Sequence, residues 1–160
     1  MSAYRTVLVG TDGSASSFRA VDRAAQIAAS SKAKLIVASA YIPHPERPGW
    51  GREGGLGGDH RAEDALKEGG YKMIGSAPIY TILQEARDRA KAAGASDIEE
   101  KAIVGAPVDA LLDLAQEAKA DLLVVGNVGL STITGRLLGS VPANAARRST
   151  TDVLIVHTTT

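Results

Sequence analysis

The chain has 160 residues, 44% apolar and 22% charged, the balance of one soluble globular domain. Its 18 Lys and Arg offset 18 Asp and Glu, so no net field recruits nucleic acid or an anionic membrane. With no cysteine, disulfides, zinc–thiolate sites and thiol catalysis are excluded, which suits a reducing cytoplasm; no apolar run reaches the roughly eighteen residues of a membrane span.

Met1–Arg5 leads into a short strand, without the longer apolar region of a signal peptide. Thr6–Val9 is the β-branched, apolar run of that strand, ending in Gly10-Thr11-Asp12-Gly13-Ser14. A helix from about Ser16 to Ser30 follows, its face set by Phe18, Val21, Ala25 and Ala28, with Asp12 and Ser14 both candidate N-caps. Lys34–Ala40 is a second strand, apolar almost throughout, as in a parallel sheet covered on both faces. Pro43–Gly70 breaks the pattern with three prolines and eight glycines and reads as a partly disordered insert. Regularity returns with a helix started by Pro78 and stopped by Gly94, with the stripe Ile79, Ile82, Leu83, Ala86, Ala90 and Ala93. Ile98–Val104 is a third strand, and Pro107 opens a helix whose expected face is Val108, Leu111, Leu112 and Ala115. Asp121–Val125 is the fourth strand, Ser140–Arg148 a short helix, and Val153–Val156 the fifth strand. The expected fold is α/β: a three-layer, doubly wound sandwich with a five-stranded, mostly parallel sheet of order 3-2-1-4-5.

The chemistry concentrates after the fourth strand. Gly126-Asn127-Val128-Gly129, nine residues and then Gly139-Ser140 make a strand–glycine loop–helix unit. Glycine lets backbone approach a ligand closely, and first-turn amides point at it, which suits phosphate. If strands one and four are neighbours, Asp12 faces this loop across the crevice where ligands of such sheets bind. Its carboxylate suits ribose hydroxyls, an adenine amino group or, through Mg²⁺, phosphate oxygens; the bland alternative is that Asp12 only caps a helix. A P-loop and a Rossmann fingerprint are both absent, and no lysine follows Gly139 to reach a β- or γ-phosphate.

On these residues the chain resembles the universal stress protein family. The likeness takes in Thr11-Asp12-Gly13-Ser14, Gly105-x-Pro107, Asp121–Gly126, the spaced glycines through Ser140, and Asp152–Val156. It spans nearly everything except Pro43–Gly70 and is strongest to mycobacterial-type members. The resemblance implies an adenine nucleotide alpha hydrolase-like fold with cyclic AMP or ATP as ligand. It implies that Asp12, beside Gly10 and Thr11, meets the adenosine, and that Ala40 lines the adenine. Gly126, Asn127 and Gly129 would lie under ribose and phosphate, and Gly139, Ser140, Val141 and Pro142 would hold phosphate. Gly10 departs from an ATP-binding member that has proline there, and Pro142 removes one first-turn donor.

Charge arithmetic leans toward cyclic AMP. ATP carries about four negative charges, while helix amides and dipole offset about half a unit. Arg136 is the cation within the loop; Arg147 and Arg148 sit where they would neutralise the end of their own helix. Mg²⁺ could accompany ATP.

No catalytic constellation emerges. His44, His60 and His157 lack spaced partners, and Ser14, Ser16 and Ser17 only partly match a pyrophosphatase-type loop. The reading is a nucleotide sensor or reservoir and not a fast enzyme. A slow Mg²⁺-dependent ATPase and an interaction protein with a vestigial site are the alternatives. The apolar fifth strand, at an edge, is expected to pair in a homodimer through residues 153–157, and Val156→Asp is the substitution expected to break it.

Overall fold

The computed structural model describes residues 4–41, 79–127 and 140–158, with the side chains of positions 140 and 141 left aside. The expected insert at Pro43–Gly70, and with it His44, Trp50 and His60, lies outside the described residues, as does Pro78.

The elements run β1 (Thr6–Gly10), α1 (Ala15–Ser31), β2 (Lys34–Tyr41), α2 (Ile79–Ala92), β3 (Asp97–Val104), α3 (Pro107–Glu117), β4 (Leu122–Gly126), α4 (Ser140–Arg148) and β5 (Asp152–Val156). All four strand pairings are parallel, and the sheet order is β3-β2-β1-β4-β5. Continuous hydrophobicity in β1, β2 and β4 reflects burial on both faces, where alternation would leave one face polar. Val7, Val9, Leu35, Val37, Leu122 and Val124 face a core built with α1 and α2. Leu8, Ile36, Ala38, Leu123 and Val125 face a second core with α3 and α4.

Helix boundaries follow local chemistry. Ser14 is the N-cap of α1, its Oγ accepting the Ser17 N–H at 3.1 Å, so of the two candidate caps it is Ser14 and not Asp12 that holds the position. α2 buries Ile79, Leu83, Ala86 and Ala90 as expected, and Gly94 follows its end. The face of α3 differs: Ala110, Leu111, Leu114 and Ala115 are buried, while Val108 and Leu112 are only partly so. The stripe 110, 111, 114 and 115 faces the sheet, which places Val108 and Leu112 on its flank, packed against the edge of the second core.

Both sheet edges carry charge. On β3, Lys34 and Lys101 grip Glu99 at 2.8 and 3.2 Å. Its carboxyl is held below the usual range by hydrogen bonding to Lys34, and Lys34 is correspondingly raised by its bond to Glu99. At the start of β5, Asp152 accepts the Tyr4 hydroxyl at 3.0 Å, which raises the Tyr4 phenol. Asp121, just before β4, accepts the backbone N–H groups of Arg5 and Thr6, pinning the start of β1. Between α1 and α2, Arg89 forks onto Asp22 (3.2 and 2.7 Å) while lying 5.1 Å from the Phe18 ring centroid. Hydrogen bonding to Asp22 raises the Arg89 guanidinium further.

Edge strand β5 leaves Ile155 43% exposed, whereas Val156 is buried in the first core. The substitution expected from sequence, Val156→Asp, would therefore strike the interior, and Ile155 is the position that probes the edge.

Candidate functional site

The order reverses between β1 and β4, and both strands end on the same side of the sheet, their last register pair being Val9 and Val124. Two loops therefore leave from adjacent points, one carrying Thr11–Ser14 and the other opening with Asn127. This is the crevice in which doubly wound sheets bind ligands.

The first loop is fastened by hydroxyls. Thr11 is 1% exposed, and its N–H reaches the Ala38 carbonyl at 2.9 Å. The Ser17 hydroxyl donates to the Ser14 carbonyl (3.0 Å), so the 2.6 Å contact between Thr11 and Ser17 has Thr11 Oγ1 as donor. Ser17 Oγ also accepts the Asp12 N–H at 3.3 Å, and Thr11 Oγ1 accepts the Gly13 N–H at 3.1 Å. One buried serine thus joins Thr11, Asp12 and the first turn of α1. Asp12 itself, half-buried, accepts the Ser14 N–H on Oδ1 at 2.9 Å. That bond holds Oδ1 against the N-terminus of α1. Gly13 has φ +88°, a conformation only glycine adopts without strain. Rigidity at this loop comes from these bonds, where a proline at position 10 would otherwise supply it; Gly10 is the last residue of β1, paired with Ala38.

The second loop is tied to the C-terminus. Asn127 N–H bonds the Val156 carbonyl at 2.8 Å, continuing the register that pairs Gly126 with Val156. Asn127 Oδ1 accepts both the backbone N–H and the hydroxyl of Thr158, at 2.7 and 2.9 Å. Its Nδ2 lies 3.5 Å from Nδ1 of the exposed His157. The Asn127 side chain is thereby turned to the chain's own end.

Ala40 is half-buried near the end of β2, in register with Ile103. Ser140, Val141 and Pro142 open α4, where Pro142 is buried and its missing N–H falls in the first turn, which lacks an intrahelical partner anyway. The expected residues Gly129, Arg136 and Gly139 lie outside the described residues. Arg147 and Arg148 occupy the last turn of α4 as expected, and each has a specific acceptor: Asn144 for Arg147 and Asp109 of α3 for Arg148, both at 2.7 Å. Among the described residues, no group of three or more His, Cys, Asp or Glu is placed to hold a metal ion.

Ser17 was expected only as part of a partial pyrophosphatase-type loop and not as the fastening of this one, and Thr158 was not foreseen here. A polar residue on the apolar face of α1 is the signal for Ser17. Thr158 carries no local signal, because its partners lie 31, 139 and 142 residues away.

Comparison with known proteins matches residues 3–157 to the family model described as the universal stress protein family. The chain is 65% identical over 159 residues to universal stress protein Rv1636 of Mycobacterium tuberculosis, covering 99% of this chain and 100% of that one. Among solved structures it is similar to a universal stress protein in complex with cAMP (63% identity, TM-score 0.72, covering 99% of this chain and 100% of that chain). The crystal structure of Rv1636 matches at 58% identity and TM-score 0.59, covering 99% of each chain. The five-stranded parallel sheet of order 3-2-1-4-5, with helices on both faces, is the adenine nucleotide alpha hydrolase-like fold of these relatives. The chain belongs to the universal stress protein family.

Proposed function

We propose that this protein binds an adenine nucleotide, cyclic AMP in the first instance and ATP as a second ligand, at the crevice between the loops after β1 and β4, and acts as a stress-response sensor or nucleotide reservoir. The observation that carries this reading is the cAMP complex of a 63% identical protein covering 99% of this chain, together with retention here of Gly126, Gly129, Gly139 and Ser140 at the spacing of a phosphate cradle.

The residues present fit such a ligand. Asp12, held by Ser14 and Ser17, offers an oriented carboxylate to ribose hydroxyls or the adenine amino group. Ala40 provides a small apolar surface for the base, and Gly10 and Gly126 let the ligand approach the backbone at both strand ends. Asn127 contributes mainly by holding its loop, since its side chain is bonded to Thr158. Gly129 and Gly139–Pro142 are assigned to the phosphate by sequence pattern, with Arg136 as the nearby cation. The single charge of cyclic AMP asks less of this cradle than the several charges of ATP, for which Mg²⁺ would be the companion. The missing lysine after Gly139 favours holding a nucleotide over cleaving one. We assign a homodimer to edge strand β5, residues 153–157, where Ile155 offers apolar surface beside unpaired backbone.

Calorimetric titration with cyclic AMP, then with ATP in the presence and absence of Mg²⁺, tests the reading. Saturable binding that is lost in Gly139→Val, with the variant's melting temperature retained, supports it. Wild-type protein that shows neither heat nor a thermal shift with any of these ligands refutes it.

A further inference from the structure

We propose that Thr158 is a positioning residue for the nucleotide site, fixing the spacing between its two halves; this deepens the nucleotide reading and rests on it. Thr158 lies beyond β5, outside any regular element, yet it is only 3% exposed and its N–H, hydroxyl and carbonyl are all engaged. Its N–H and hydroxyl both donate to Asn127 Oδ1, at 2.7 and 2.9 Å. Because that hydroxyl proton is committed to Asn127, the contact between Ser16 and Thr158 has Ser16 Oγ as donor. The Thr158 carbonyl accepts Arg19 Nη1 at 2.9 Å.

These bonds run in two directions. Ser16 and Arg19 belong to the first turns of α1, whose N-cap Ser14 also bonds Asp12. Asn127 is the first residue after β4 and begins the glycine loop. Thr158 therefore bridges the element that positions Asp12 and the element that leads into the phosphate cradle. A direct strand pairing joins β1 to β4 as far as Val9 and Val124, and the Thr158 clasp adds a hydrogen-bonded connection between the first turns of α1 and Asn127 beyond that pair. Loss of the clasp loosens Asn127 relative to the first turns of α1, and a ligand touching both must then restore that alignment from its own binding energy.

The test compares Thr158→Val, which keeps the shape and deletes the hydroxyl, with Thr158→Ser, which restores the hydroxyl. Cyclic AMP affinity by calorimetry should fall about tenfold in Thr158→Val, the cost of one to two hydrogen bonds, and return to within about twofold in Thr158→Ser. Adding Thr158→Val to Asn127→Ala should cost little more than Asn127→Ala alone, because the two residues act as one unit. In the ligand-free protein, hydrogen exchange at the Asn127 amide should speed up in Thr158→Val while core amides of β1 and β4 keep their protection. Wild-type affinity in Thr158→Val, fully additive losses, or unchanged Asn127 exchange would each overturn the proposal. If wild-type protein does not bind cyclic AMP, the nucleotide reading fails, and the exchange measurement still decides whether Thr158 holds the loop.

Discussion

Gly13→Ala separates backbone strain from packing at the loop that carries Asp12. Gly13 has φ +88°, and a β-carbon built there would lie 2.9 Å from both Cγ1 and Cδ1 of Ile82 on α2. Forcing a side chain into that backbone region costs about 1–3 kcal/mol, and overpacking adds about 1 kcal/mol or more. A total near 3 kcal/mol corresponds to a fall of about 6–12 °C in melting temperature for a chain of this size. Gly105 supplies the control: at φ +127° an added β-carbon meets only Ala110 Cβ, at an ordinary 3.7 Å, so Gly105→Ala carries strain without the clash. The assay is thermal and guanidinium unfolding of Gly13→Ala, Gly105→Ala, Ile82→Ala and the double variant Gly13→Ala/Ile82→Ala. Gly13→Ala should be the less stable of the two glycine variants, and its penalty should shrink in the Ile82→Ala background. A Gly13→Ala protein that melts with wild type refutes the strain argument. A penalty unaffected by Ile82→Ala refutes the packing part.

Arg89→Lys should lose both the fork onto Asp22 and the stacking over Phe18, lowering stability by about 1 kcal/mol in denaturant titration, with the difference shrinking at high salt. Glu99 has a folded-state pKa below its unfolded value, so its contribution is present at neutral pH and is lost as pH falls through the lowered value. Lys34, raised, contributes below the ordinary lysine range and loses that contribution only as pH rises through its raised value. The urea midpoint of wild type should thus lie slightly above that of Glu99→Gln at neutral pH, as befits a partly exposed pair, and the two should converge in acid. Ile155→Asp should yield monomer by light scattering with unfolding unchanged, and a persistent dimer would remove β5 as the interface.

The layered fold was legible because its signals are local and redundant. Apolar runs marked β1, β2 and β4, and Pro107 and Gly94 punctuated helices where proline and glycine chemistry requires. Asp12 stood out as a candidate from its place after β1, but its competing role as a cap was not resolvable: Asp12 and Ser14 are equally good oxygen acceptors on paper. The loop geometry settles it, with Ser14 Oγ reaching Ser17 N–H and Asp12 Oδ1 reaching Ser14 N–H. The α3 face was half right: Leu111 and Ala115 are buried as expected, but the helix is turned so that Ala110 and Leu114 complete the stripe and Val108 and Leu112 flank it, a rotation that periodicity alone leaves open. Val156 and Ile155 read alike in sequence, and only the pleat decides which of them enters the core. Thr158 was invisible for a different reason: its role depends on contacts from distant segments, and no local pattern announces them.

The central place of β1 has a consequence for biosynthesis. It is the first of the five described strands in chain order and the one that ends between β2 and β4. β2 arrives soon afterwards, joined through α1, and can cover one side early. The other side waits for Leu122–Gly126, and for Asp121 to seize the Arg5 and Thr6 amides. Throughout that interval the nascent chain presents Val7, Leu8 and Val9 with a row of unpaired backbone groups, the arrangement from which one chain adheres to another. The strand at the centre of the finished sheet is therefore the most vulnerable one while it is being made, and chaperone occupancy on translating ribosomes should drop once β4 has cleared the exit tunnel.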